Sequence, residues 1–130
     1  MRIRSLLIAL LKKYIEKLLP VKYQLPLRYF YSQKANKLDA EMAYVSNLLK
    51  EKRRFLDIGA NIGIYSFHFK DSFKSIDAFE PLKEISYRLE HFQNQSFKVH
   101  NCALSNKRGE FKIYIPYLSG KAIASLASLE

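Results

Sequence analysis

One cysteine, Cys102, is all that the 130 residues contain. An intrachain disulfide and a cysteine-based zinc cluster are therefore excluded, and a reducing cytoplasm suits the chain. Cys102 reads instead as a small buried apolar residue. No apolar run approaches the roughly 20 residues that a membrane span requires; the stretch from Leu6 to Leu11 stops at Lys12 and Lys13. No small-residue cleavage site follows it, which argues against a secretory leader. His68, His91 and His100 stand apart without metal-ligand spacing, so each reads as structural and no metal is expected. A P-loop is missing, because no glycine is followed by Lys and Ser or Thr at the required distance. Acids are scarce as well: 12 Asp and Glu face 22 Lys and Arg, a net charge of +10. That imbalance favours an anionic partner, whether nucleic acid, a phosphorylated substrate or an anionic membrane surface.

What is present suits one folded domain, with 48% hydrophobic and 26% charged residues. Near the N-terminus Ile3, Leu7, Leu10, Leu11, Tyr14 and Leu18 recur at steps of three and four, opposite Arg2, Lys12, Lys13 and Glu16. This predicts an amphipathic basic helix over residues 3–19, which Pro20 helps to end. Such a helix packs on the domain or on a partner; peripheral attachment to anionic lipid is the sharper alternative. From Pro20 to Gln33 the aromatics Tyr23, Tyr29, Phe30 and Tyr31 follow no helical or strand period. The segment is expected to be a packed linker, so that residues 1–37 form an N-terminal helix and linker ahead of a domain over 38–130.

Within that domain Leu38, Met42, Val45 and Leu49 have helical spacing, with Asp39 at the positive end. Arg54 to Ile58 reads as a strand broken by Gly59, and a helix is expected from Ile62 to about Lys70. Ser75 to Phe79 is a second strand, Leu82 to about Phe92 a second helix, and Phe97 to Asn101 a third strand. This alternation predicts a parallel α/β sheet. Phe111, Ile113 and Ile115 alternate with Lys112 and Tyr114 as a half-exposed strand, antiparallel to a neighbour. Residues 118–130 carry no assignable pattern.

The chemistry concentrates after the first two strands. Asp57 ends the first, and Gly59 and Gly63 follow where bare backbone lets a ligand approach closely. Glu80 follows the second strand, where nucleoside-binding folds place a carboxylate that accepts from ribose hydroxyls. The dinucleotide fingerprint G-x-G-x-x-G needs a glycine where this chain has Asn61. A cofactor with one nucleoside and no pyrophosphate fits better.

The run Phe55-Leu-Asp-Ile-Gly-Ala-Asn-Ile-Gly-Ile-Tyr-Ser, then Ala78-Phe-Glu-Pro81, then Asn101-Cys-Ala-Leu-Ser105 and Gly109, resembles the FkbM family of S-adenosylmethionine-dependent methyltransferases in sequence and order. The resemblance covers about residues 40–128, including Ala124-Ser-Leu126. It implies a Rossmann-like class I methyltransferase sheet, incomplete at the C-terminus and preceded by N-terminal helices. It further implies that Asp57, Gly59, Ala60, Asn61 and Gly63 form the loop at the methionine end of S-adenosylmethionine, that Glu80 holds the ribose, and that Asn101 and Ala103 border the adenine. Members commonly O-methylate sugars of polysaccharides, glycolipids or natural products, so the expected acceptor is a sugar, glycan or small-molecule hydroxyl. The family continues with a fourth strand and an acidic motif that this sequence lacks, so residues 38–130 are expected to be a partial domain. No residue stands out as a general base. Two other readings compete, a nucleic-acid methyltransferase and a non-catalytic basic membrane-associated fragment. Lys and Arg occur along the whole chain and no RNA-binding module stands out, which argues against nucleic acid as the partner.

Overall fold

The computed structural model describes residues 14–118, 120–123 and 128–129. Most of the amphipathic segment 3–19, and Ala124-Ser-Leu126, lie outside the described residues. Four helices are α1 (Val21–Lys34), α2 (Ala40–Leu48), α3 (Ile64–Phe69) and α4 (Lys83–Glu90), with a helical turn over residues 14–18 ahead of them. Strands β1 (Arg54–Ile58), β2 (Ser75–Phe79) and β3 (Phe97–His100) form a parallel sheet in the order β1-β2-β3. Two short antiparallel pairs follow. Ile113–Tyr114 (β4) meets Ser128–Leu129 (β7), and Tyr117–Leu118 (β5) meets Lys121–Ala122 (β6). The chain is thus a mixed α/β structure whose small parallel sheet is compatible with a Rossmann-like fold.

Period-two alternation decides which face of the sheet is covered. Phe55, Ile76 and Phe97 are in register on one face, as are Asp57, Ala78 and Val99. Ile76, Ala78 and Phe97 join Leu25, Met42, Phe69 and Leu89 in the core. The Phe55 ring lies 4.8 Å from that of Phe69 and 5.3 Å from that of Phe73, an aromatic cluster between β1 and α3. The opposite face carries Leu56 and Ile58, 49% and 65% exposed, beside Asp77, Phe79 and His100.

Residues 21–34 form a helix where the sequence predicted a packed linker. Pro20 separates it from the preceding turn and stands at its N-cap. Pro26 lies inside, where its missing N–H deprives only the carbonyl of exposed Lys22, which water can satisfy. The helix is stabilised by its inner face. Leu25 is fully buried. Gln24 donates to the Leu19 carbonyl at 3.0 Å and accepts from Arg88 Nε at 2.9 Å and from the Tyr87 hydroxyl at 3.2 Å, joining α1 to α4. The period was illegible because Tyr23 and Phe30 point outward, each 51% exposed.

Gly63, at the start of α3, has φ +89, and a Cβ there would lie 2.4 Å from Leu89 Cδ1. Gly63→Ala therefore meets a left-handed backbone cost of about 1–2 kcal/mol and an overpacking cost of similar size. Denaturant unfolding should show a loss of about 3 kcal/mol in total. In a Leu89→Ala background the same substitution should cost only the backbone part, and an undiminished loss there would refute the packing account.

Candidate cofactor site

The parallel register aligns Ile58, Phe79 and His100, so the residues that follow them, Gly59, Glu80 and Asn101, leave the sheet together at its carboxyl edge. Two backbone bonds lock the first turn to the second strand: the Phe79 carbonyl accepts from Gly59 and Ala60 N–H, both at 2.9 Å. Glu80 N–H donates to the His100 carbonyl at 3.0 Å and joins the third strand end to the other two.

Gly59, Asn61 and Gly63 have φ of +75, +52 and +89. Asn61 tolerates the left-handed region because its Oδ1 accepts from Ile62 N–H at 2.7 Å. Gly63 N–H closes the turn on the Ala60 carbonyl at 2.8 Å. Ala60 is buried in the core, whereas a Cβ on Gly59 would meet nothing within 4 Å. The face of the loop beside Gly59 is therefore open, while Gly63 is turned toward Leu89.

Glu80 is buried, and both its oxygens accept from backbone: Oε2 from Asn61 N–H at 2.9 Å and Oε1 from Leu82 N–H at 3.0 Å. A carboxylate has roughly four acceptor positions, so these bonds leave about two. Every N–H from Gly59 to Gly63 is thus engaged within the protein. A phosphate-binding loop works by offering such donors to the anion; this loop has none of the five to offer.

Asp57 Oδ2 accepts from Ser66 N–H at 3.0 Å and from its hydroxyl at 2.5 Å, fastening β1 to the first turn of α3. Burial pushes the Asp57 carboxyl up from its ordinary pKa; the Ser66 bonds oppose the shift, and the nearby Glu80 charge adds to it. Asn101 is exposed, with Nδ2 donating to the buried Ser86 hydroxyl at 2.8 Å. Half-buried Ala103 lines a groove of 510 Å³ with Pro81, Leu104, Arg108 and Phe111. Cys102 lines it too and is exposed rather than buried, because it sits in the loop just past β3 with neither sheet nor helix over it. A second cavity, of 300 Å³, is lined by Ile62 and Ile64 together with Arg28 and Glu16.

Two contributors escaped sequence reasoning. Ser66 closes the run from Phe55 that resembles the FkbM family, but nothing in that run gave it a role of its own. Asp77 gave a clearer signal, as the only charge in the strand Ser75-Ile-Asp-Ala-Phe79. It is buried on the other face of the sheet, where Arg54 Nε donates to Oδ2 at 2.8 Å and His100 Nε2 lies 2.8 Å from Oδ1. Burial alone would raise this carboxyl, yet the hydrogen bonds and charges of His100 and Arg54 outweigh it and hold the group below its ordinary value. His68 likewise has a local partner, the Tyr29 hydroxyl at 2.6 Å from Nδ1.

The raised Asp57 pKa sets a sign for stability. The fold favours the protonated acid, a contribution fully present below the ordinary carboxylate pKa and lost as the pH rises through the raised value. Asp57→Asn keeps an acceptor for Ser66 and removes the charge, so its melting temperature at pH 7 should exceed that of the wild type. The difference should vanish near pH 3. Asp57→Ala leaves the Ser66 donors unpaired and should destabilise by about 1–3 kcal/mol. Thermal melts across this pH range test both, and a lower melting temperature for Asp57→Asn at pH 7 would contradict the account.

No family model, curated protein or solved structure matches the chain, so its function is read from its own residues.

Proposed function

We propose that the chain binds S-adenosylmethionine as part of a Rossmann-like class I methyltransferase acting on a hydroxyl of a sugar, glycan or small molecule. The observation that carries this reading is the combination of a buried Glu80 at the end of β2 with a glycine loop whose amide donors are all engaged. An open α/β sheet binds its ligand at the carboxyl ends of its strands. A loop without free donors suits a nucleoside that carries no pyrophosphate there, and the acceptor positions left on Glu80 suit a ribose diol. The resemblance of Asp57-Ile-Gly-Ala-Asn-Ile-Gly63 and Phe79-Glu-Pro81 to the FkbM methyltransferases points the same way.

The chemistry of the residues suits the cofactor. Glu80 would hold the ribose, and the groove beside Ala103 has room and apolar walls, among them Leu104 and Phe111, for the adenine. The open face of the loop from Asp57 to Gly63, beside Gly59, would take the methionine end. When bound, the cofactor supplies an electrophilic sulfonium methyl. The protein's part is to fix the cofactor's orientation and exclude water while an acceptor oxygen approaches in line. Gly59 serves this by leaving the face of the loop open, and Asn61 by holding the turn in shape.

Isothermal titration with S-adenosylhomocysteine tests the reading. Wild type should bind with a Kd that Glu80→Gln, nearly isosteric and checked for folding by circular dichroism, raises at least about tenfold. That factor corresponds to losing one charge-assisted hydrogen bond to ribose. NAD should bind far more weakly. Equal affinity for NAD, or an unchanged Kd in Glu80→Gln, would reject the assignment.

A further inference from the structure

The net charge of the chain is concentrated at one end. Lys and Arg occur throughout, but the acids do not: residues 1–37 hold nine basic residues, and Glu16 is their only acid. That is +8 of the total +10, leaving +2 for the rest of the chain. The described part of this segment is a layer of two helical pieces, residues 14–18 and α1, lying against the rest of the protein.

Both pieces face inward through polar anchors. Glu16, its side chain 13% exposed, pairs with Arg28 at 2.7 Å and with Arg88 of α4 at 3.3 Å. Residues two positions away on a helix point to the opposite side. Tyr14 and Leu18 accordingly face outward, 67% and 85% exposed. On α1 the inward face holds Leu25 and Gln24, and the opposite stripe holds Tyr23, Phe30 and Lys34. The ammonium of Lys22 lies 4.9 Å from the Tyr23 ring centre, and that of Lys34 lies 5.6 Å from the Phe30 ring centre. The outward surface thus mixes aromatic and aliphatic side chains with lysines and contains no acid. Such a composition suits the boundary between headgroups and acyl chains, where aromatic rings sit at the interface and lysines meet lipid phosphates. Among the described residues no helix is long and apolar enough to cross a membrane.

We propose that this N-terminal layer is a docking surface for an anionic bilayer, with Tyr14, Leu18, Tyr23 and Phe30 entering the interface and Lys17, Lys22 and Lys34 facing acidic headgroups. The two contributions are separable. The lysines provide attraction that depends on anionic lipid and weakens with salt. The apolar side chains provide area buried at the interface, which salt does not weaken.

Flotation of the full chain with vesicles tests this, comparing neutral phosphatidylcholine with phosphatidylcholine containing a quarter phosphatidylglycerol. Wild type should partition at least about tenfold more strongly onto the anionic vesicles at 100 mM salt, and much less at 500 mM. Lys17→Glu, Lys22→Glu and Lys34→Glu together should abolish the preference. Leu18→Ser, Tyr23→Ser and Phe30→Ser together should lower partitioning about tenfold with an unchanged melting temperature, since all three side chains are at least half exposed. Should the serine variant lose its fold, Tyr23→Ser alone should still weaken binding severalfold. Equal binding to both vesicle types, or insensitivity to the charge reversals, would overturn the proposal. So would a single-stranded RNA oligonucleotide that binds more tightly than the vesicles and displaces the protein from them, since the partner would then be nucleic acid.

Discussion

The Glu80 carboxylate holds together the turns that leave the parallel sheet. One oxygen accepts from Asn61 in the loop after β1, the other from Leu82 at the entry to α4. A buried carboxylate without partners would be strongly unfavourable, and two backbone donors make it tolerable here. The consequence runs in both directions. The loop keeps its place because the Asn61 N–H has a charged acceptor, and Glu80 can stay buried because the loop supplies a donor. Phe79 contributes the remaining ties, its carbonyl receiving Gly59 and Ala60 N–H. The loop is therefore built as a closed hydrogen-bonded unit, and its openness toward a ligand lies in the bare face of Gly59 rather than in free amides.

Much of this frame was legible because it is local. Arg54 to Ile58, broken by Gly59, and Ser75 to Phe79 have the boundaries read for them in the sequence, and the turn needs glycine for reasons visible in one stretch of it. What escaped depends on contacts distant in sequence or on deviations from pattern. Nothing near Ser66 announces that it will reach back nine residues to Asp57. Nothing near Gly63 announces that Leu89 will stand where a Cβ would go. Cys102 was misplaced because residue type says little in a loop beyond the last strand, where there is no layer to cover it. The helix α1 was misread for a different reason. Periodicity detects a helix with one apolar face, and α1 has aromatic residues on both.

That failure of pattern is informative. An exposed aromatic stripe conflicts with the rule that a surface helix is polar on its outer side, and conflicts of this kind gather at functional surfaces. Leu25 and Gln24 account for the inner side of α1 through packing and hydrogen bonds to α4. Tyr23 and Phe30 have no comparable burial. Through Glu16, Arg28 joins the two pieces of the layer and Arg88 of α4 ties them to the body of the protein, neither drawing on the lysines of the outer side. The support and the exposed surface are built from different residues, so the surface can be altered without loosening the support.

The charge distribution bears on cofactor choice in the same way. A chain of net charge +10 repels cations at long range, whereas the sulfonium of S-adenosylmethionine is itself a cation. At the strand ends two carboxylates stand together, Asp57 and Glu80, close enough for the Glu80 charge to add to the raised Asp57 pKa. Screening at physiological ionic strength limits the distant basic residues to roughly the nearest 8 Å, and the two carboxylates act inside that range. On the proposed reading they favour the charged cofactor over its neutral, demethylated product. This preference is strongest once Asp57 is ionised, so the burial that makes its charge costly for folding also makes that charge count at the site.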